Sequence, residues 1–173
     1  MFLNKIKLFL VISICLIFFF LTYNDVKSQE IEIIEGNAIV VDGDTIKING
    51  KKIRFSGIDA PESYYKGKEQ VCFKGDEKIL CGKLSKDFLI KKINNLKVFC
   101  EIEAKPDRYK RKLAECFVND KSLSRILVKN GYAFDYPKYS KKKYSNEQEY
   151  AEINNLGLWS MKFEFPWDFR KKN

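Results

Sequence analysis

The feature that most restricts the fold is a stretch of two-residue alternation that reverses on itself between Ile31 and Ile58. It reads as three short strands. Ile39-Val40-Val41 is β-branched and runs into the turn Asp42-Gly43-Asp44. Thr45-Ile46-Lys47-Ile48 alternates and ends at Asn49-Gly50, a strong two-residue hairpin signal. Ile53-Arg54-Phe55 alternates again before Gly57-Ile58-Asp59-Ala60-Pro61, where proline stops the ladder. A loop rich in lysine, glycine and tyrosine follows. Leu80, Leu84 and Phe88 at steps of four predict a helix over about 78–94. Residues 96–103 and 111–118 read as a second hairpin around Pro106-Asp107-Arg108-Tyr109-Lys110. A helix is predicted over 122–130, stopped by Gly131. Another is predicted from Ser145, with Gln148 completing a capping box, to Gly157. Three strands, a helix and two strands predict a mainly β, α+β fold: a five-stranded barrel of the OB type with about three helices. The aromatic tail, residues 159–167, is expected to pack back on the barrel.

Ahead of this domain, Lys5 and Lys7 precede an apolar run over residues 8–22 and a polar stretch ending at Ser28. The run is shorter than the about 20 residues a spanning helix needs. Residues 1–28 therefore read as a cleaved signal peptide in preference to a retained anchor, or a lipoprotein leader at Cys15. Residues 29–173 read as one domain, secreted or periplasmic, or tethered by residues 8–22. Four cysteines remain: Cys72, Cys81, Cys100 and Cys116. An even count behind a signal peptide reads as disulfides, with three possible connectivities. Zinc is disfavoured, because no C-x-x-C spacing exists and the chain has no histidine. If the second hairpin is symmetric about Arg108, Cys100 and Cys116 lie opposite each other, which leaves Cys72–Cys81 to staple the loop before the helix.

The absence of histidine also narrows the chemistry. Ser-His and Cys-His hydrolases and most catalytic zinc sites are excluded, so acid–base work falls to carboxylates, lysines, tyrosines or metal-bound water. Losing Lys5, Lys7, Lys27 and Asp25 with the leader takes the whole-chain charge from +9 to +7. That surplus favours polyanionic partners, although solubility alone would also explain it.

Asp42 and Asp44 are two residues apart and share a face on an extended backbone. Asp59 sits in the proline-stopped turn, with Glu62 three residues on. Carboxylates without nitrogen or sulfur ligands suit a hard cation, Ca²⁺ or Mg²⁺; taken singly, each motif is equally well a turn with solvated acids. Arg54 lies mid-strand between Ile53 and Phe55, a costly place for an unpartnered charge. Arg111 opens the last strand. Two guanidinium forks would bind the oxygens of a five-coordinate phosphorane-like state. A divalent cation and a nearby carboxylate would complete phosphodiester hydrolysis without histidine.

Val41-Asp42-Gly43-Asp44-Thr45, then Arg54 through Glu62, then Asp107-Arg108-Tyr109-Lys110-Arg111 together resemble the three motifs of the staphylococcal nuclease (thermonuclease) family, over about residues 35–160. The cysteines and the ending from Phe163 to Arg170 are similar to its exported, cysteine-bearing branch. The resemblance implies an OB-fold that uses one Ca²⁺ ion to cleave DNA and RNA, preferably single-stranded, to 3′-phosphate ends. It implies that Asp44, Asp59 and the Ala60 carbonyl hold the ion, with Asp42 in its outer shell. Glu62 then corresponds to the general base, and Arg54 and Arg111 to the arginines on the scissile phosphate. Arg108 and Tyr109 correspond to contacts with the terminal phosphate and sugar, and Tyr136 or Tyr139 to the tyrosine under the base. A monomer with no obligate protein partner is expected.

Two departures stand out. Ala60 replaces a frequent threonine, which is harmless if only its carbonyl is used. Lys110 stands where glycine is common, and a positive φ there would cost a lysine about 1 kcal/mol. The rival reading is a non-catalytic OB-type module that binds nucleic acid or a protein. A structural domain on an anionic surface is a third, but it leaves Arg54, Glu62 and Arg111 without a purpose.

Overall fold

The computed structural model describes residues 31–173. The signal-peptide reading of residues 1–28, with the apolar run 8–22 and Cys15, lies outside the described residues. Among the described residues no helix is long and apolar enough to cross a membrane. In chain order the elements are β1 (Glu32–Asp42), β2 (Thr45–Ile48), β3 (Lys51–Phe55), β4 (Ile58–Asp59), β5 (Val71–Lys74), β6 (Glu77–Leu80) and α1 (Cys81–Ile93). They continue with β7 (Lys97–Ile102), β8 (Lys112–Val118), β9 (Lys121–Ser122), α2 (Leu123–Lys129), β10 (Phe134–Asp135), α3 (Pro137–Ser140), α4 (Ser145–Ile153), a 3₁₀ turn at Gly157–Ser160 and α5 (Pro166–Lys172).

The main sheet runs β3-β2-β1-β7-β8-β9, and a parallel β3–β8 pairing closes it into the five-stranded barrel. Closure removes the edges that an open sheet would expose. β1 serves two partners: Glu32 to Asn37 pair with β7, and Ala38 to Asp42 pair with β2. It is therefore one 11-residue strand rather than a short one around Ile39. Gly36-Asn37, which interrupts the alternation in the sequence, marks the change of partner. The barrel is filled by the inward residues of each strand, among them Ile46, Ile48, Ile53, Phe55, Val98 and Ala114. Leu89 and Ile93 of α1, and Leu123 and Leu127 of α2, cap it.

Both disulfides form, Cys72–Cys81 and Cys100–Cys116. Cys100 and Cys116 are direct partners in the β7–β8 register, inside the barrel, with Cα atoms 4.1 Å apart. The hairpin is symmetric about Arg108. Each closed loop is worth about 3 kcal/mol on chain-entropy grounds.

Three expectations need correction. The helix predicted from residue 78 starts at Cys81, because Glu77–Leu80 form a hairpin with Val71–Lys74 across the turn at Gly75-Asp76. Ser145 and Gln148 do not form a capping box. The helix is capped at Tyr144 without a side-chain bond, Ser145 Oγ donates to the Lys142 carbonyl, and Gln148 Oε1 accepts from Asp135 N instead. That helix ends at Ile153, not at Gly157. Two short helices, α3 and α5, were also not anticipated; both begin at a proline.

On the outer side of β8, Glu115 joins three elements. It accepts from Ser122 Oγ at 2.6 Å and Tyr144 Oη at 3.2 Å, and pairs with Lys143. Ser122 Oγ in turn caps α2 by accepting from Arg125 N. Burial pushes the Glu115 carboxyl up, but the hydrogen bonds and charge of Lys143, Ser122 and Tyr144 outweigh it and hold the group below its ordinary 4.5. A depressed carboxyl contributes stability above the unfolded-state value and loses it as pH falls through the lower folded-state value. Glu115→Gln is therefore expected to cost about 1–2 kcal/mol at neutral pH. The difference should shrink as urea melts are taken below pH 4.5. A gap independent of pH would refute this.

Candidate active site

The site is built where two backbone turns meet. The first is Asp42-Gly43-Asp44, at a register shift that ends the β1–β2 ladder. A Cβ on Gly43 would lie 2.8 Å from the Ala60 Cβ and 2.9 Å from the Ser85 Cβ, so the residue is small to let this turn close on the second turn and on α1. The second turn, Asp59 to Glu62, is held from two sides. β4 pairs with β10, Phe134 opposite Asp59. Gly82 in the first turn of α1 lies so close to the Glu62 backbone that a Cβ there would fall 2.1 Å from the Glu62 carbonyl oxygen.

Between these turns Arg54 reaches in from β3 and bridges both aspartates. Nη1 donates to Asp44 Oδ1 at 2.7 Å and Nη2 to Asp59 Oδ1 at 2.6 Å. Asp44 is fixed further by the Ala60 amide, which donates to Oδ2 at 3.0 Å, and by the Thr45 hydroxyl at 2.9 Å. The mid-strand charge that looked costly is thus paired on both sides. Burial works against the Arg54 charge, but Asp44 and Asp59 more than offset it and raise the group above its ordinary value.

Asp59 has no solvent exposure and receives a second arginine. Arg170, on α5, donates from Nη1 to Asp59 Oδ1 at 3.0 Å and from Nη2 to Oδ2 at 2.5 Å. The same Nη1 donates to Glu62 Oε1 at 2.5 Å. The cluster is still rich in negative charge. Burial is the main cause that pushes Glu62 up to about 7, with Arg170 pulling the other way and Asp44 and Asp42 adding to the rise. Burial likewise raises Asp59, against its two arginines.

Asp42 stands slightly apart. Its Oδ1 accepts from Gly43 N, Ser63 N and Ser63 Oγ, the last at 2.7 Å. Burial, then the Asp44 charge, pushes it above the ordinary range.

Arg111 is not hydrogen-bonded into this cluster. Its Nε and Nη2 both bind Asp107 Oδ2 at 2.7 Å, within its own loop. It lies one strand over and two residues along from Arg54, since Leu113 is the Arg54 partner in the β3–β8 register. Arg108 and Arg111 both stand over the ring of the exposed Tyr109, at 4.7 and 5.3 Å. Tyr136 stacks on Trp167 at 5.0 Å and meets Tyr139 edge-on at 4.9 Å. Lys110 does adopt the left-handed conformation, φ 60°. Lys110→Gly is therefore expected to stabilise the protein by about 0.5–1 kcal/mol, the gain from relieved strain exceeding glycine's larger loss of chain entropy. A thermal melt that does not rise would contradict it.

Asp44 and Asp59 themselves offer only oxygen, and in this structure those oxygens accept from Arg54, Arg170, the Thr45 hydroxyl and the Ala60 amide. Two buried carboxylates are the ligand type that a hard divalent cation takes. Among the described residues no three acidic, histidine or cysteine side chains gather as a ready cage. Asp44 and Asp59 are the pair of carboxylates that the Arg54 bridge brings together.

Three residues that the sequence reading left without a role join the site. Arg170 is the first. Gln70, almost fully buried, is the second: its Oε1 accepts from Glu62 N at 3.0 Å and its Nε2 donates to the Glu164 carbonyl at 2.7 Å. Trp167, beneath Tyr136, is the third. The one local signal was the three-residue step from Trp167 to Arg170, which puts both on one helix face.

The chain is similar in sequence to known proteins. The family described as staphylococcal nuclease homologues matches residues 52–161. A staphylococcal-like nuclease of Arabidopsis thaliana is 35% identical over 127 residues, covering 69% of this chain and 33% of its own length. A succinoglycan biosynthesis protein of Rhizobium meliloti is 36% identical over 133 residues, 74% of this chain and 65% of its own. An endonuclease of Bacillus subtilis is 32% identical over 137 residues, 70% of this chain and 11% of its own. The chain thus spans from about a tenth to under two thirds of these relatives. The chain belongs to the staphylococcal nuclease family.

Proposed function

We propose that this protein is a calcium-dependent extracytoplasmic nuclease that hydrolyses phosphodiester bonds of DNA and RNA, leaving 3′-phosphate ends. The observation that carries the reading is the single cluster in which Arg54 bridges Asp44 and Asp59 while Glu62 lies within the same hydrogen-bond network. These residue types answer the needs of the reaction. Glu62, a largely dehydrated carboxylate raised to about 7, is suited to take a proton from water near neutral pH. Arg54, with Arg111 in the loop that leads into the adjoining strand β8, supplies guanidinium forks for the equatorial phosphate oxygens as charge builds on them. Asp44, Asp59 and the Ala60 carbonyl would hold one Ca²⁺, with Asp42 outside them; when bound, the ion neutralises phosphate charge and orients the attacking water.

Substrate contacts follow the same logic. Arg108 and Tyr109 offer a cation and a hydroxyl to a terminal phosphate and sugar. Tyr136 and Tyr139 offer ring faces to an unstacked base, which favours single strands. The surplus of basic residues favours polyanions in general. The two disulfides point to an oxidising, extracytoplasmic setting, and cleavage after residue 28 would release the domain there. Action as a monomer without a protein partner completes the proposal.

The test is incubation of the domain, residues 29–173, with denatured DNA in Ca²⁺ or in EGTA, followed by end analysis. Cleavage to 3′-phosphate ends in Ca²⁺, and none in EGTA, is expected. Cleavage with Mg²⁺ but not Ca²⁺ would overturn the choice of ion. Binding without cleavage under every condition would leave a nucleic-acid-binding module instead.

A further inference from the structure

We propose that Arg170 is a positioning residue of the active site, a fork on α5 that fixes the relative placement of the Asp59 and Glu62 carboxylates. This rests on the nuclease reading above and extends it to a residue beyond the motif region. Arg170 spans the two turn carboxylates: both Asp59 oxygens and Glu62 Oε1 accept from it, at 2.5–3.0 Å. Glu62 is otherwise free to choose a rotamer, because among the described residues Arg170 is the one hydrogen-bond donor given to its carboxylate. A planar guanidinium sets distance and angle together, which a point charge on a flexible stem does not.

The surroundings of Arg170 are built to hold it there. The segment before α5 is laced to the loop that carries Glu62. Phe73 and Lys162 exchange backbone hydrogen bonds at 2.9 and 2.8 Å. Gln70 joins Glu62 N to the Glu164 carbonyl. The Cys72–Cys81 disulfide closes the hairpin that carries Phe73 and directly follows Gln70. One turn before Arg170, Trp167 lies between the rings of Phe165 and Tyr136, stacked at 4.6 and 5.0 Å. Lys171, the next residue, has no such framework. A surface arginine that merely balanced charge would not need one.

The proposal ties kcat to the shape of the fork. In the domain of residues 29–173, with denatured DNA and Ca²⁺, Arg170→Ala is expected to lower kcat about 10–100-fold, the size expected when a reacting group is misplaced by about 1 Å. KM should change by less than about twofold. Arg170→Lys, which keeps the charge without the fork, should lose most of the same activity. Millimolar guanidinium should restore part of the kcat of Arg170→Ala by filling the space left, and should not help Arg170→Lys. Affinity for an uncleaved single-stranded oligonucleotide in EGTA should match wild type in both variants. Full activity in Arg170→Ala, or full recovery in Arg170→Lys, overturns the proposal. So does a loss that guanidinium does not relieve and that oligonucleotide binding shares, since that pattern marks a structural role. If Arg170→Ala does not fold, the lysine variant decides alone: retained kcat refutes the fork, and a kcat loss with intact binding supports it. An inactive wild type sinks the nuclease reading itself, which keeps the two failures distinct.

Discussion

Glu62→Gln is expected to lower kcat on denatured DNA by about 10²–10⁴-fold, the usual worth of a positioned general base. KM should stay within about twofold, because the substitution leaves Arg54, Arg111, Arg108 and Tyr109 untouched. The variant separates chemistry from folding unusually well. Glutamine has the size of glutamate, and its carbonyl oxygen still accepts from Arg170 Nη1, which now donates to Glu62 Oε1. The backbone stays tied, since Glu62 N donates to Gln70 Oε1. Removing a carboxylate that burial pushes up to about 7 also relieves a dehydrated charge at pH 8, so the melting temperature should hold or rise. Steady-state kinetics and a thermal melt on one preparation would check both halves. A variant that cleaves as fast as wild type would remove Glu62 from the mechanism, and one that melts much lower would show that the charge is structural.

What the sequence disclosed about this site, and what it withheld, divides by chain distance. Asp42, Asp44, Arg54, Asp59 and Glu62 fall within about twenty residues, on strands joined by Asn49-Gly50, and the hairpin register brings Arg54 opposite Thr45. Their short separation made the meeting legible once the motifs were taken together, although each turn alone read equally well as solvated acids. The second hairpin was legible for the same reason, since its length from Arg108 in either direction dictates that Cys100 faces Cys116. Arg170 lies 111 residues from Asp59, and nothing periodic links them. Its placement depends on a chain of non-local contacts, from Phe134 to the aromatic tail and from Phe73 to Lys162, that no window of sequence contains. The β5–β6 hairpin was masked in a different way. Leu80, Leu84 and Phe88 have helical spacing, and extending that pattern back to Lys78 absorbed residues whose Gly75-Asp76 turn argued for strands. At Ser145 the right residue types for a cap were present, but Gln148 was claimed by the Asp135 amide, a tertiary partner that outcompeted the local one.

Phe134→Ala is expected to cost about 3–5 kcal/mol, among the largest single losses available in this fold. The ring is fully buried, and four others converge on it: Phe163 and Phe165 at 4.9 Å, Trp159 at 5.6 Å and Trp167 at 6.3 Å. It fills the centre of a second cluster, separate from the barrel core, that includes Cys72, Cys81 and Leu158. Truncation leaves a cavity that rings locked mostly edge-to-face against one another cannot close without breaking their own contacts, so little relaxation is available. The melting temperature should fall on the order of 10 °C. The consequence reaches the chemistry, because Phe134 is the backbone partner of Asp59 and its side chain anchors the tail that presents Trp167 and Arg170. Well below its melting temperature the variant should therefore show a lower kcat than wild type. Phe99→Ala provides the contrast. That ring meets Phe117 at 6.2 Å on the β7–β8 pair, away from both turns, and its loss should lower stability without altering kcat. If the two variants, compared at equal distance below their own melting points, retained equal turnover, the second cluster would be a stabilising core alone. If only Phe134→Ala is impaired, the tail's packing and the carboxylate geometry are one mechanical unit.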